Sequence, residues 1–319
     1  MKKLSIIIPV YGVEKYIEEC ISSICCQMEL DVEVIIVNDG TQDRSIEIAK
    51  NVISGLSDEL QNCFIFLEQI NQGQSVARNH GISKSTGEFI AFVDPDDFVY
   101  ANYFQTLLKE ISENPLVDVF HINAKKVDED SREVNDSIKI AESNEFIQND
   151  KSYLERLFKL DAWQPWLRIF NSKFKDELIF PSGILMEDKY LFASLYANKI
   201  KNIKAIDREM IGYRVHGSSS LNDPKNSNLL ILSARKGIEK YSEYYGGELD
   251  YIYLSYLNLY VFLNSSQNFF VILKNFKKMK IYYHLVLNRD DLSLKKSLMH
   301  KYPTIYTLLL RTKKFFYWK

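Results

Sequence analysis

Several things the sequence is short of narrow its possible functions. Its 319 residues carry only four cysteines, Cys20, Cys25, Cys26 and Cys63. No histidine completes a zinc-binding spacing with them, and adjacent Cys25 and Cys26 are poorly placed for an ordinary disulfide with each other. Cys20 and Cys25 fit the apolar face of a helix, so buried free thiols are expected, in keeping with a reducing cytoplasm. Charge of one sign is not in excess: 40 Lys/Arg against 42 Asp/Glu leave a net charge of -2, which gives no general affinity for nucleic acid. No clean apolar run is long enough to span a membrane. Residues 251–273 lack charge, yet Asn258, Asn264, Ser265, Ser266, Gln267 and Asn268 interrupt them, so two packed helices are expected. The opening Met-Lys-Lys-Leu-Ser superficially resembles a signal peptide. Pro9, Glu14 and Lys15 break the apolar stretch within about ten residues, however, and a buried strand fits better. There is no internal repeat.

What is present is an alternation of strand and helix. Leu4–Val10 reads as a continuous apolar run of buried-strand type, and Val32–Val37 as a second buried strand. Between them Val13, Tyr16, Ile17, Cys20, Ile21 and Ile24 recur at helical spacing. The rhythm continues with a helix over Ile46–Leu56, a strand at Phe64–Leu67 and a helix over Val76–Lys84. It closes with a strand at Glu88–Val93, a helix near Asn102–Glu113 and a strand near Val117–Asn123. Such a βαβα pattern predicts an α/β fold, a mostly parallel sheet with helices on both faces. Ligands of such sheets sit beyond the carboxyl ends of the strands, where this chain gathers Pro9, Tyr11, Asp39, Gln72 and Asp94–Asp97. Residues 128–150 are polar and read as an exposed loop. Helices near Leu154–Leu160 and Glu187–Asn198 and a strand near Ala205–Arg214 follow, and beyond Leu229 the pattern is helical.

Charge is distributed unevenly. From Lys274 to the end there are twelve Lys/Arg and two Asp/Glu, a net of +10, so the preceding residues carry about -12. A basic tail ending in Phe315-Phe316-Tyr317-Trp318 suits an anionic membrane surface, while its aromatic residues could equally serve a homodimer.

Six places could carry chemistry. Asp94-Pro95-Asp96-Asp97 sets three carboxylates at a strand end, where they repel one another unless a hard divalent cation or hydrogen-bond donors relieve them. A turn with helix-capping aspartates is the plainer explanation. Asp39 could accept a hydrogen bond from a base or ribose, or cap a helix. Arg78 could meet a base or diphosphate, or simply solvent. Glu187-Asp188 opens a helix, where the dipole alone favours acids, but one of the two could enter a pocket as a general base. His216, among Gly217 and Ser218–Ser220, could be a metal ligand, with Arg214 and the hydroxyls near phosphate. Trp163 and Trp166 could form a platform for a sugar face or pack in the core.

Taken together, Ser5–Tyr11, Val37–Thr41, Ala77–Gly81, Asp94–Asp97 and Glu187-Asp188 resemble the motifs of family 2 glycosyltransferases, in order over residues 4–220. The resemblance implies a GT-A fold over residues 1–225, with a nucleotide-binding half at 1–128 and an acceptor and catalytic half at 150–220. A helical C-terminal region, 226–319, would shape the acceptor site or contact a membrane or a second copy. It further implies that Pro9, Tyr11 and Asp39 hold the uracil of a UDP-sugar, and that Asp94 meets the ribose. Asp96 and His216 would bind Mn²⁺ or Mg²⁺, and Asp188 would act as base. Val10, Glu14, Arg78, Pro95, Arg168 and Ser218 are the remaining donor contacts it suggests, with Arg168 and Ser218 toward the diphosphate. The implied reaction is inverting transfer to a glycan or lipid-linked glycan acceptor, at the cytoplasmic face of a bacterial membrane. Gly12, where many relatives carry Asn, departs from the pattern only in the first loop.

Competing classes fit less well. A nicotinamide-dependent oxidoreductase should show Gly-x-Gly-x-x-Gly after the first strand, and Pro9-Val10-Tyr11-Gly12-Val13 is nothing like it. A nucleotidyltransferase making nucleotide-sugars should carry a Gly-rich, Arg-containing loop there, and none is present. A glycan- or nucleotide-binding protein that kept the fold without catalysis is the remaining alternative, against which stand Asp96, Asp188 and His216.

Overall fold

The computed structural model describes residues 2–216, 224–244 and 250–264, with positions 267, 270–272, 275 and 307. The chain divides into two compact units, Met1–Gly183 with Glu187–Gly217, and Ile184–Met186 with Ser218–Lys319. The first unit opens with β1 (Leu4–Val10), α1 (Ile17–Cys25), β2 (Val32–Asn38), α2 (Ser45–Ile53), α3 (Asp58–Gln61) and β3 (Phe64–Glu68). It continues with α4 (Gln74–Lys84), β4 (Phe89–Phe92), β5 (Phe98–Val99), α5 (Tyr103–Glu113), β6 (Val119–Val127), β7 (Glu133–Ile138) and β8 (Phe146–Gln148). Then come α6 (Lys151–Leu160), β9 (Arg168–Asn171), α7 (Glu187–Asn198) and β10 (Asn202–Arg214). The second unit holds α8 (Ser227–Lys240) and α9 (Asp250–Asn264).

The strands form one ten-stranded sheet with the path β3-β2-β1-β4-β9-β6-β10-β5, β7 pairing with β6 and β8 with β10. Its first four strands are parallel: Leu4 lies opposite Val32 on one side and Phe89 on the other, and Val34 opposite Phe64. Every residue of β1 is buried, as expected of a parallel strand covered on both faces. On α1, Ile17, Cys20, Ile21 and Ile24 are the buried residues, one stripe of the helix. The helix begins later than its apolar spacing suggests because residues 13–16 form a turn, Tyr16 N–H donating to Val13 O at 2.9 Å. All four cysteines are free, Cys20 and Cys63 buried and Cys25 half-buried.

Beyond β4 the sheet is mixed. β9 runs antiparallel between β4 and β6, Phe89 opposite Asn171 and Val119 opposite Phe170, whereas β10 is parallel to β6. The polar stretch 128–150 is not simply a loop, since it contains β7 and β8. β7 is largely exposed and forms through edge pairing with β6, Ala124 opposite Ile138, so its backbone rather than an apolar pattern makes it a strand. β8 joins β10 in the same way, Ile147 opposite Ile203.

In the second unit α8 buries Leu230, Ile231, Ala234 and Ile238. Gly237 lets α9 come close: a Cβ there would lie 2.1 Å from the Tyr256 ring. Tyr256 in turn stacks on Tyr241, with ring centroids 5.5 Å apart. Among the described residues no helix is long and apolar enough to cross a membrane. The basic tail, the closing aromatic cluster and most of the second expected helix within 251–273 lie outside the described residues.

Candidate active site

The parallel half of the sheet delivers three loops to one edge. β1 ends at Val10, which is buried together with Pro9, and Tyr11 just beyond it is 53% exposed. The N–H of Asp39, just past β2, donates to Val10 O at 3.0 Å. The Asp39 carboxylate is buried and accepts three hydrogen bonds at 2.8 Å, from Gln69 Nε2 and from the Gln72 and Gly73 N–H groups. It therefore ties the loop after β3 to the loop after β2. That close approach requires Gly40, at φ +71, where a Cβ would lie 2.8 Å from Asn71 N. Glu14 is exposed and accepts the Arg44 N–H at 3.0 Å, which fastens the first loop to the start of α2.

The acidic turn after β4 is held from behind. Arg214, buried at the end of β10, donates through its N–H to Asp97 Oδ1 and through Nε to Asp96 O, both at 2.8 Å. Its other nitrogens reach Glu129 O, Ser131 Oγ and Glu19, so the guanidinium is used up as a brace and is not presented to a phosphate. Two residues on, His216 Nε2 lies 2.9 Å from Asp96 Oδ2. Tyr16 supports this pair. Its ring stacks on His216 with centroids 5.3 Å apart, and the Arg214 guanidinium lies 4.9 Å from the same ring. Burial, with Asp94 close by, pushes the Asp96 carboxyl above the ordinary carboxylate range, against the opposing pull of His216. Burial and the neighbouring Asp96 and Asp94 push Asp97 up much further. Among the described residues no three His, Cys, Asp or Glu side chains enclose a cation. One carboxylate oxygen and one imidazole nitrogen still suit Mn²⁺ or Mg²⁺, if phosphate oxygens and water complete the shell.

The second acidic motif opens α7, immediately after Met186 at φ +60. Glu187 is buried and accepts from Arg78 Nη1 at 2.9 Å and Gln74 Nε2 at 2.6 Å. Arg78 is only 2% exposed, and its Nη2 reaches Asp94 Oδ1 at 2.8 Å. The sequence suggests a base or diphosphate contact for Arg78; the fold instead commits both of its terminal nitrogens to carboxylates. Asp188 is half-buried, its Oδ1 accepting the Lys189 N–H at 2.6 Å. Burial, then the adjacent Glu187, raises its carboxyl to about 7, while Arg78 and Arg168 act in the opposite direction.

Arg168 is a second correction. It is fully buried, its Nη groups donating to Ala162 O at 2.7 Å and Gln164 O at 3.1 Å, its guanidinium 5.4 Å from the Trp163 and Phe192 rings. A cation so placed acts on Asp188 from within the protein and offers no hydrogen bond to a diphosphate. Trp163 and Trp166 are buried too, so neither is an open sugar platform. Pro95 is buried within its turn, and Ser218 lies outside the described residues. Sequence reasoning missed Tyr16 as the support of His216, Gln69 as a partner of Asp39, and Glu187 as the partner of Arg78. Only Tyr16 left a signal, as a half-buried aromatic on the rim of an otherwise apolar helix face.

Comparison with known proteins gives the family and the fold. Residues 5–170 match the family model of Glycosyl transferase family 2. Glycosyltransferase GlyA of Streptococcus pneumoniae is 31% identical over 232 residues, which cover 68% of this chain and 31% of that protein. Across several curated relatives the chain spans between 31% and 62% of their length. The crystal structure of S. aureus TarS 1-349 superposes with a TM-score of 0.68 at 18% identity, covering 99% of this chain and 92% of that one, which shows the GT-A fold. The mannosyltransferase PcManGT of Pyrobaculum calidifontis, in complex with GDP-Man and Mn²⁺, superposes with a TM-score of 0.52 at 14% identity, covering 99% of this chain and 88% of that one.

Proposed function

The chain belongs to glycosyl transferase family 2, and from that membership we propose that it transfers a sugar from a UDP-sugar, with inversion, to a hydroxyl of a glycan or lipid-linked glycan acceptor. The process served is synthesis of a bacterial surface polysaccharide. The observation that carries this reading is the convergence of two acidic motifs of unlike state. Asp96 is paired with His216 beyond β4, and Asp188, at the start of α7, stands beside a carboxylate that is itself paired with Arg78. TarS, which shares the fold, has been crystallised with UDP and with UDP-GlcNAc, and this supports the choice of donor.

In this reading Tyr11 and the Asp39 loop receive the nucleoside and Asp94 lies toward the ribose. Asp96 and His216 would hold Mn²⁺ or Mg²⁺. When bound, the ion offsets the negative charge that develops on the departing diphosphate. Asp188 takes the acceptor hydroxyl proton as the acceptor oxygen bonds to the anomeric carbon and the bond to the diphosphate breaks, releasing UDP. Attack and departure occupy opposite faces of the sugar, so configuration inverts. The lipid-linked acceptor and a position on the inner membrane face rest on the +10 segment from Lys274 onward.

The test is UDP release from a panel of UDP-sugars, with Mn²⁺ and with EDTA. Metal-dependent turnover of one donor is expected. UDP binding without turnover of any donor, with acceptors supplied, would favour the non-catalytic alternative, and absence of UDP binding would overturn the donor assignment.

A further inference from the structure

Three side chains near the start of α4 grip the segment that carries the second acidic motif. Gln74 donates to Glu187 Oε1 at 2.6 Å, and one turn later Arg78 donates to the same oxygen at 2.9 Å. Asn79 then bonds Phe180 in both directions, its Nδ2 donating to Phe180 O and its Oδ1 accepting the Phe180 N–H, each at 2.8 Å. The Phe180 ring lies 5.4 Å from the Arg78 guanidinium. On the other side the same guanidinium holds Asp94, whose side chain is 27% exposed, at 2.8 Å. A guanidinium is planar, with its donors in a rigid fork, so two carboxylates bound to its two ends have their separation fixed by covalent geometry.

We propose that Arg78 is a positioning residue that holds the donor-side and base-side motifs in one arrangement by sharing a single buried guanidinium between Asp94 and Glu187. The inference rests on the function proposed above and assigns Arg78 a task within it that differs from donor contact. Both Nη groups are already committed to protein carboxylates. The second part of the task is electrostatic. Asp188 is faced by Glu187 on its own helix, by Arg78 from α4 and by Arg168 from β9. Arg78 opposes the charge of Glu187 in part, and so keeps Asp188 easier to ionise than it would be beside an unpaired Glu187. A residue that only packed would do neither.

The test compares Arg78→Lys, Arg78→Gln, Glu187→Gln and the double variant Arg78→Gln/Glu187→Gln in steady-state kinetics across pH, after thermal unfolding confirms that each is folded. Lysine keeps the charge but cannot bridge two carboxylates, so Arg78→Lys should lower kcat about 100-fold, the scale of a misplaced reacting group, with a smaller rise in donor KM through Asp94. Arg78→Gln leaves Glu187 uncompensated and should move the acid limb of kcat to higher pH. Glu187→Gln removes the repelling charge and should move it lower. The double variant should fall between them. A raised donor KM at unchanged kcat in Arg78→Lys would overturn the proposal in favour of direct diphosphate contact, and so would acid limbs that move the same way in the two glutamine variants. Should Arg78→Gln not fold, Glu187→Gln alone decides by the direction of its shift. If the wild type turns over no donor, the proposed function fails separately. The arrangement is then read from the ¹³C carboxyl titration of Asp188, assigned with Asp188→Asn, in wild type and Glu187→Gln, and an unmoved midpoint overturns it.

Discussion

The two acidic motifs of the first unit are compensated in different ways. Beyond β4, three carboxylates crowd one turn, yet Arg214 behind them donates mainly to backbone and carries its charge to Glu19. Among the described residues only the Arg78 guanidinium pairs directly with a carboxylate of that turn, Asp94, while Asp96 leans on a histidine. Among the described residues, then, fewer cations than carboxylates meet at that turn, a condition that favours a divalent ion. At α7 the sum is closer to balance. Glu187 is buried against Arg78, Arg168 lies within the protein nearby, and Asp188 is left half-buried with a proton affinity far above that of an ordinary aspartate. In the proposed reading one motif binds a cation and the other exchanges a proton, although both are built from the same side-chain chemistry.

If that division is right, the two motifs should fail differently. The largest effect is expected at Asp188. Asparagine preserves its shape and its bond from the Lys189 N–H but cannot take a proton, so Asp188→Asn should lower kcat about 10³- to 10⁴-fold with UDP binding intact. The wild-type pH profile tests the same point without mutation. The base works only when ionised, and burial with Glu187 raises its carboxyl to about 7, so kcat should fall as pH drops through about 7. An acid limb near the ordinary carboxylate range would assign the base elsewhere. The next effect is at the cation motif. Asp96→Ala should lower kcat about 10²- to 10³-fold, the range of a Lewis-acid contribution of several kcal/mol, and abolish the gain in UDP affinity that Mn²⁺ gives. Full Mn²⁺ dependence in that variant, measured by calorimetry, would show that the ion is held elsewhere.

The same contrast explains what could be read from the chain in advance. β1 and β2 were legible because strands so rich in Val and Ile admit little else, and the acids beyond β4 and at the start of α7 because charge beside apolar runs is conspicuous. β9 was not legible: four residues beginning with a fully buried arginine break the apolar signature of a central strand. The exposed, polar β7 likewise owes its existence to a neighbour and not to its own pattern. Within the site the carboxylates were found and the guanidiniums misplaced. Arg78, Arg168 and Arg214 each look like a phosphate contact in sequence, since arginine beside a nucleotide motif favours that reading. Their actual partners are 109 residues distant in the case of Glu187 and 195 in that of Glu19, or are main-chain oxygens, and only the folded chain brings them together.

The smallest expected effect is also the most selective, because it concerns a part of the edge that belongs to neither acidic motif. Gly40 sits at φ +71, with the backbone of Gln69 and Asn71 pressed against it. Alanine there meets two obstacles: a left-handed backbone, costing about 1–2 kcal/mol, and a Cβ that would lie 2.8 Å from Asn71 N. The loop after β3 would have to retreat, and it supplies all three donors that orient Asp39. Gly40→Ala should therefore weaken UDP binding about tenfold, in line with that strain, while kcat at saturating donor and its acid limb stay near wild type. Calorimetric titration with UDP, set beside the pH profile, separates the possibilities. Weaker binding with an unchanged profile places the nucleoside at Asp39, apart from both acidic motifs. Unchanged binding would mean that Asp39 only ties two loops together and that the base is received elsewhere along the edge.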